Sequence, residues 1–208
     1  MKITLLGDSI REQYLPRVKE LLGDEFEVWS PQENCRFSKY TLRGLFDWSC
    51  YMKGSEIVHW NCGLWDACDL WGKGTFSTEE EYVENMLRIL DILQENHRSV
   101  IFATTTPVRE ENRYDKNINI DRFNEIIVPR LKERGVLIND LNGLLRTDVY
   151  RYIREDAIHL TPEGIQRCAE QTSAIIRETA SLHENRSDAR WVEKYSDFNT
   201  ELGAPALL

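Results

Sequence analysis

The feature that most constrains this chain is a regular alternation of short apolar runs with segments of helical period. Residues 3–6, 26–29, 57–62, 100–103 and 136–138 are apolar runs of strand length, each bounded by Gly, Pro or polar residues. Between them the apolar residues recur three and four positions apart. Leu15, Val18, Leu21 and Leu22 share one face and Gly23 follows as a stop; Leu42, Leu45, Phe46 and Cys50 form a stripe over residues 40–52. Ser77-Thr78 followed by three glutamates reads as a helix start, and Val83, Met86, Leu87, Leu90 and Leu93 carry that helix to about Asn96. Residues 119–134 are helical, 141–145 a brief helix, and 162–182 a long one with Thr161 as N-cap and Pro162 in its first turn. Residues 64–76, rich in Trp, Asp and Gly, read as irregular. Strands that alternate with helices of this length imply βαβ units, a parallel sheet and a three-layer α/β/α sandwich. Ligands of such sheets lie beyond the carboxyl ends of the strands, so functional residues are sought just after the first four strands and in the late loops.

Composition narrows the function classes. The chain has 208 residues, which suits one domain over residues 1–182 followed by an arm or tail at 183–208. With 26 basic and 35 acidic residues the net charge is −9, which disfavours nucleic-acid and anionic-membrane partners. Hydrophobic residues at 41% and aromatics at 10% are too many for a disordered chain, and no apolar run reaches membrane-spanning length. The opening Met-Lys-Ile-Thr-Leu-Leu runs into Gly-Asp rather than a small-residue cleavage site, so it reads as a first strand rather than a leader. Five cysteines without a CxxC pair read as reduced thiols in a cytoplasmic protein, with no metal site and no cofactor expected. In the tail, Trp191, Tyr195 and Phe198 at i, i+4 and i+7 fit a short helix docked on the body or on a second copy in a homo-oligomer.

Two constellations carry chemistry. Gly7-Asp8-Ser9 directly follows the first strand, which places a hydroxyl at the mouth of the sheet as a nucleophile if a base is near. Ser9-x-x-Glu12 also fits a capping box that would merely start a helix. Pro16 would fall inside such a helix, so the helix is expected to begin near Pro16, with Ser9 in a loop. Asp156-Ala-Ile-His159 lies just before the last helix, and a carboxylate and an imidazole three apart in a turn can meet; the alternative is an ordinary surface turn. Of the other histidines, His97 and His183 sit in polar helix ends and His59 within a strand, which leaves His159 as the best-placed base.

Gly7-Asp8-Ser9 after the first strand, with Asp156-x-x-His159 before the last helix, resembles the SGNH (GDSL) hydrolase superfamily over roughly residues 1–180. The resemblance implies a flavodoxin-like sheet of about five parallel strands and metal-free ester hydrolysis, with Ser9 as nucleophile, His159 as base and Asp156 as its orienter. Two motifs depart from the family pattern. The loop after the second strand, residues 31–40, has no glycine, so a backbone N–H near Phe37–Lys39 would have to serve the oxyanion hole. Where the family has Gly-x-Asn-Asp, this chain reads Gly63-Leu64-Trp65-Asp66. The remaining oxyanion candidates are the Ser9 N–H, the Asn61 amide and the Trp65 indole; Asn61 is equally readable as a buried amide satisfied by its neighbours.

Substrate contacts are expected from Arg36, Asp66, Trp71 and Arg109, the last of which alternatively pairs with Glu110 or Glu111. Trp65, Trp71 and Phe76 would stack on a sugar ring, close a lid, or simply cluster. The resemblance together with these polar, Trp-rich loops points to a short-chain, acetyl-type esterase acting on O-acetylated carbohydrate. The competing readings are a thioesterase or lysophospholipase of the same superfamily, and a non-catalytic ligand-binding domain with a degraded oxyanion hole.

Overall fold

The computed structural model describes residues 1–184 of the chain. Five strands, β1 (Lys2–Leu6), β2 (Glu27–Trp29), β3 (Ile57–Asn61), β4 (Ser99–Ala103) and β5 (Leu137–Asn139), form one parallel sheet in the order β2-β1-β3-β4-β5. The chain starts in the interior of the sheet, steps out to β2, then returns past β1 to build the other half. Right-handed crossovers therefore send the first connecting helix to one face and the next ones to the other. Accordingly α1 (Ser9–Leu22) packs with the last helix, α8 (Pro162–Glu184), while α2 (Ser38–Met52), α4 (Glu79–Asn96) and α5 (Asn117–Glu133) pack side by side. Three short helices, α3 (Leu64–Ala67), α6 (Leu141–Arg146) and α7 (Val149–Tyr152), lie in the connections after β3 and β5. The expected α/β/α sandwich with about five parallel strands is the architecture observed.

The central strand shows why the sequence runs were so apolar. All five residues of β3 are buried, including His59 and Trp60, because helices cover both faces of the sheet. Ile3, Leu5 and Leu6 of β1 are equally buried, and the one polar residue between them, Thr4, shares a hydrogen bond of 2.8 Å with Ser55 Oγ. Thr78 caps α4 with a full capping box: its hydroxyl accepts from Glu81 N–H at 3.2 Å and the Glu81 carboxylate accepts from Thr78 N–H at 3.1 Å. The Thr161 hydroxyl accepts from Gly164 N–H at 3.1 Å in the first turn of α8.

Four elements differ from the sequence expectation. α1 begins at Ser9, with Pro16 in its interior, not near Pro16. The proline costs about 3 kcal/mol in a helix interior, but Ile10, Arg11, Tyr14, Val18 and Leu22 of this helix are all buried, and that packing outweighs it. The stretch after β3 contains the single-turn α3, and α7 follows α6; both are too short to leave a periodic signal. α8 continues to Glu184, so the boundary placed at residue 182 falls inside a helix. Trp191, Tyr195 and Phe198 lie outside the described residues. No helix among the described residues is long and apolar enough to cross a membrane.

Candidate active site

The order of the sheet reverses between β1 and β3, and the crevice beyond their carboxyl ends is where such sheets bind ligands. Gly7-Asp8-Ser9 leaves β1 into this crevice. Gly7 is required there by close approach, since a Cβ would stand 2.7 Å from the Arg11 side chain and 3.4 Å from Asn61 Cβ. Asp8, rather than Ser9, caps α1: its carboxylate accepts from Ile10 N–H at 2.9 Å. Ser9 is the first residue of the helix, so its hydroxyl is not consumed as a cap. Its N–H belongs to the first turn, where no intrahelical acceptor exists and the helix dipole favours negative charge.

Behind the serine, a buried arginine locks the turn. The Arg11 guanidinium donates to the carbonyls of Gly7 (3.0 Å), Pro31 (3.2 Å) and Glu33 (3.0 Å), which ties the Gly7–Ser9 turn to the β2–α2 loop. Cys35 completes the tie, with its N–H on the Gly7 carbonyl at 3.1 Å and its Sγ accepting from Gly7 N–H at 3.3 Å. Burial pushes the Cys35 thiol up to about 11, so it is no competing nucleophile at neutral pH. The next residue, Arg36, has φ +51°, the left-handed conformation that favours glycine. Here the strain is met by Asn34 Oδ1, which accepts from Arg36 N–H at 2.7 Å, and by the guanidinium resting 4.7 Å over the Tyr40 ring. The backbone shape thus persists in a loop whose sequence has no glycine.

The second half of the site comes from the other end of the chain. Asp156 Oδ1 accepts from the N–H groups of Ile158 (3.0 Å) and His159 (2.9 Å), and Oδ2 lies 3.0 Å from His159 Nδ1. With Asp156 accepting at Nδ1, the imidazole proton sits there and Nε2 becomes an acceptor; Ser9 Oγ stands 3.0 Å from it. Partial burial pushes the Asp156 carboxyl up, but hydrogen bonds from His159 N–H, Ile158 N–H and the imidazole outweigh it and hold the group below its ordinary range. The other three histidines are buried, and burial lowers His59 to about 3 and His97 to about 4. His159 is therefore the histidine whose ring is both exposed and in contact with Ser9.

Gln13, one turn after Ser9 on α1, fixes the distance between the two halves: its Oε1 accepts from Leu160 N–H at 2.9 Å. Asp8 sits beneath, fully buried. Burial raises its carboxyl to about 6, against the pull of Ile10 N–H, Arg11 and the nearby His159.

Several residues expected to contact substrate or oxyanion do otherwise. Asp66 is fully buried and cannot meet a ligand; it accepts from Ser38 N–H (2.8 Å), Ser38 Oγ (2.7 Å) and Ser77 Oγ (2.6 Å), holding the first turn of α2 and the segment before α4 to α3. Burial pushes its carboxyl up, opposed by those hydrogen bonds. The Asn61 amide is also spent internally: with its nitrogen turned toward Asp8 it lies 3.2 Å from both carboxylate oxygens, and in the opposite orientation it reaches the Ala103 carbonyl at 3.4 Å. Arg109 pairs with neither Glu110 nor Glu111. Its guanidinium binds the carbonyls of Ile153 and Tyr150 and rests 5.0 Å from the Tyr150 ring centroid, so it supports the Asp156–His159 loop from behind. In the 37–39 segment the Ser38 N–H is taken by Asp66. Trp65 and Trp71 remain available, 42% and 84% exposed, on the loop after β3, and Phe76 of that loop packs on Phe37 at 4.9 Å between ring centroids. Sequence reasoning missed the roles of Arg11 and Gln13. The signal for Gln13 was its position one helical turn from the serine, and nothing local marks Arg11 as buried.

Among the described residues no group of three or more His, Cys, Asp or Glu side chains is placed to hold a metal ion. No family model matches the sequence, and no curated protein matches it. Solved structures do match. A lipase/acylhydrolase from Enterococcus faecalis superposes with a TM-score of 0.72 at 15% identity, covering 86% of this chain and 96% of its own. An acetyl xylan esterase gives 0.68 at 19% identity over 85% of this chain and all of its own, 100%. A member of the lipolytic G-D-S-L family from Veillonella parvula gives 0.68 at 13% identity, over 85% and 98%. The chain thus has the fold of the SGNH/GDSL lipases and acylhydrolases, with Ser9 and the Asp156–His159 turn meeting at the carboxyl edge of its sheet.

Proposed function

We propose that this chain is a serine esterase that removes short acyl groups, acetyl in the first place, from carbohydrate esters. The observation that carries the reading is the line Ser9 Oγ–His159 Nε2–His159 Nδ1–Asp156 Oδ2, with both links at 3.0 Å and the serine and histidine 150 residues apart in sequence. A hydroxyl against the free imidazole nitrogen, with a carboxylate holding the other, is what nucleophilic catalysis by a hydroxyl requires.

In this mechanism Ser9 Oγ attacks the ester carbonyl carbon as its proton passes to His159 Nε2. The carbonyl oxygen becomes an oxyanion, and the first-turn N–H of Ser9 lies at a helix end suited to it. The Trp65 indole N–H, on the neighbouring loop, is the second donor we assign. The tetrahedral adduct collapses, the C–O bond to the alcohol breaks, and the leaving oxygen takes the proton from Nε2. Water then attacks the acyl-Ser9 carbonyl, His159 accepts its proton and returns it to Ser9 Oγ, and the carboxylic acid departs. Asp156, held ionised, stabilises the imidazolium at each stage. Trp71 and Arg36, exposed on the two loops that flank Ser9, are the assigned substrate contacts, a flat face for a sugar ring and a donor for its hydroxyls. The acetyl xylan esterase fold match supports the substrate class.

The test is hydrolysis of 4-nitrophenyl acetate, butyrate and octanoate, wild type beside Ser9→Ala, followed by acetate release from acetylated xylan. Ser9→Ala is expected to lower acetate turnover at least about 10⁴-fold. Turnover that survives this change removes Ser9 as nucleophile. Leu70 and Phe76, exposed beside the two tryptophans, favour a second reading in which a longer acyl chain is held, and rates rising from acetate to octanoate would establish it.

A further inference from the structure

We propose that Arg109, together with Asn112, is a positioning residue that holds the His159 turn in register with Ser9; the proposal rests on the esterase reading above. The turn is narrow and exposed. An antiparallel bridge between Ile153 and Leu160 closes its base, and Arg154 N–H meets the His159 carbonyl at 2.7 Å. At its tip Ala157 has φ +67°, a conformation that L-residues rarely adopt and that persists only where surroundings impose it. The Asp156 and His159 side chains are 45% and 34% exposed, and a hydrogen-bonded pair in contact with water does not fix its own geometry strongly.

The loop after β4 supplies the missing support. Arg109 N–H donates to the Ala157 carbonyl at 3.0 Å, and Asn112 Nδ2 reaches the same oxygen at 3.4 Å. The Arg109 side chain grips the base of the turn, with Nε on the Ile153 carbonyl at 2.8 Å and Nη2 bridging to the Tyr150 carbonyl at 3.1 Å. Asn112 is itself fixed, its Oδ1 accepting from Tyr114 N–H at 2.9 Å and Asp115 N–H at 2.8 Å. Carbonyls at the base and the tip of the turn are thus held from one rigid loop, while Gln13 holds Leu160 from the serine's own helix. The planar fork of arginine reaches two carbonyls at once, which a lysine does not. Small misplacements of a base cost rate rather than affinity, so the clamp acts on kcat.

Arg109→Met keeps the aliphatic stem and removes the donors, Arg109→Lys restores one, and Asn112→Asp keeps Oδ1 but loses the donor to Ala157. Expected results are a kcat about 10–100-fold lower in Arg109→Met with KM within twofold, partial recovery in Arg109→Lys, and a smaller loss in Asn112→Asp. The second readout needs no turnover. The proton NMR resonance of His159 Nδ1–H, assigned by its loss in His159→Ala, should be sharp and downfield in the wild type and broadened or shifted upfield in Arg109→Met. If Arg109→Met does not fold, Arg109→Lys and Asn112→Asp carry both readouts. A kcat within twofold with an unchanged resonance overturns the proposal, as does a kcat that returns to the wild-type value once corrected for the folded fraction. If the wild type shows no Ser9-dependent turnover on any ester, the esterase reading falls, and the resonance alone decides whether the clamp holds the turn.

Discussion

Asp8→Asn is the substitution whose outcome the structure specifies most closely. Asp8 is fully buried and its carboxyl is raised from 3.8 to about 6, chiefly by burial. Between those values the folded protein holds a proton that the unfolded chain has released. Stability credited to this group is therefore complete below about pH 4 and is lost as pH rises through about 6. A separation of about two pH units, at about 1.36 kcal/mol per unit, makes the cost of burying the ionised group about 3 kcal/mol at pH 8. An amide at this position carries no such cost and keeps what the carboxylate does. Asparagine is as good an N-cap, so the bond from Ile10 N–H survives. Asn61 can turn over, accepting from the new amide while its own nitrogen reaches the Ala103 carbonyl. Urea unfolding at pH 4, 5, 6, 7 and 8 should show the two proteins nearly equal at pH 4 and the variant about 3 kcal/mol more stable at pH 8. The comparison cancels His59 and His97, whose lowered values work in the opposite sense, withdrawing stability as pH falls below 6.5. Parallel stability curves for wild type and variant would refute the reasoning, since Asp8 would then have the same proton affinity folded and unfolded.

Two further outcomes follow from buried contacts. Asp66→Ala strands the Ser38 N–H and the Ser77 hydroxyl inside the protein, at about 1–3 kcal/mol each, so urea unfolding should show a loss of about 2–6 kcal/mol; a loss under about 1 kcal/mol would mean that water or repacking replaces the carboxylate. Gly63→Ala combines φ +147° with a Cβ driven against Thr105 Oγ1 and 3.0 Å from the Tyr82 hydroxyl; thermal melting should show a destabilisation of about 2–4 kcal/mol, whereas Gly74→Ala, with positive φ but open space around it, should cost less.

What was legible in the sequence is what depends on short-range pattern. The inner strands β1, β3 and β4 declared themselves because helices on both faces make them almost wholly apolar, and the start of α4 because Thr78 and Glu81 cap it reciprocally. The two ends of the Ser9–His159 pair were readable from the turns that present them. The start of α1 was not, because the penalty of Pro16 is local while the packing of Tyr14 and Val18 that overrides it is tertiary. Asp66 and Arg109 were read as ligand contacts because polar residues near strand ends look alike in sequence; only burial separates a carboxylate that anchors a loop from one that meets solvent. Arg36 shows the converse. A loop geometry associated with glycine is held by an arginine, so a search for glycine misses it.

The separation of the proposed nucleophile from its proposed base has a consequence for synthesis. His159 is made 150 residues after Ser9, and the helix that carries Ser9 packs against α8, which comes later still. A nascent chain therefore holds Ser9 without this partner until residue 159 is made. A product released between residues 104 and 158 would contain at least four of the five sheet strands and still lack the proposed base. On the proposed mechanism, no ester can be turned over until residue 159 has been made and its turn has met Ser9.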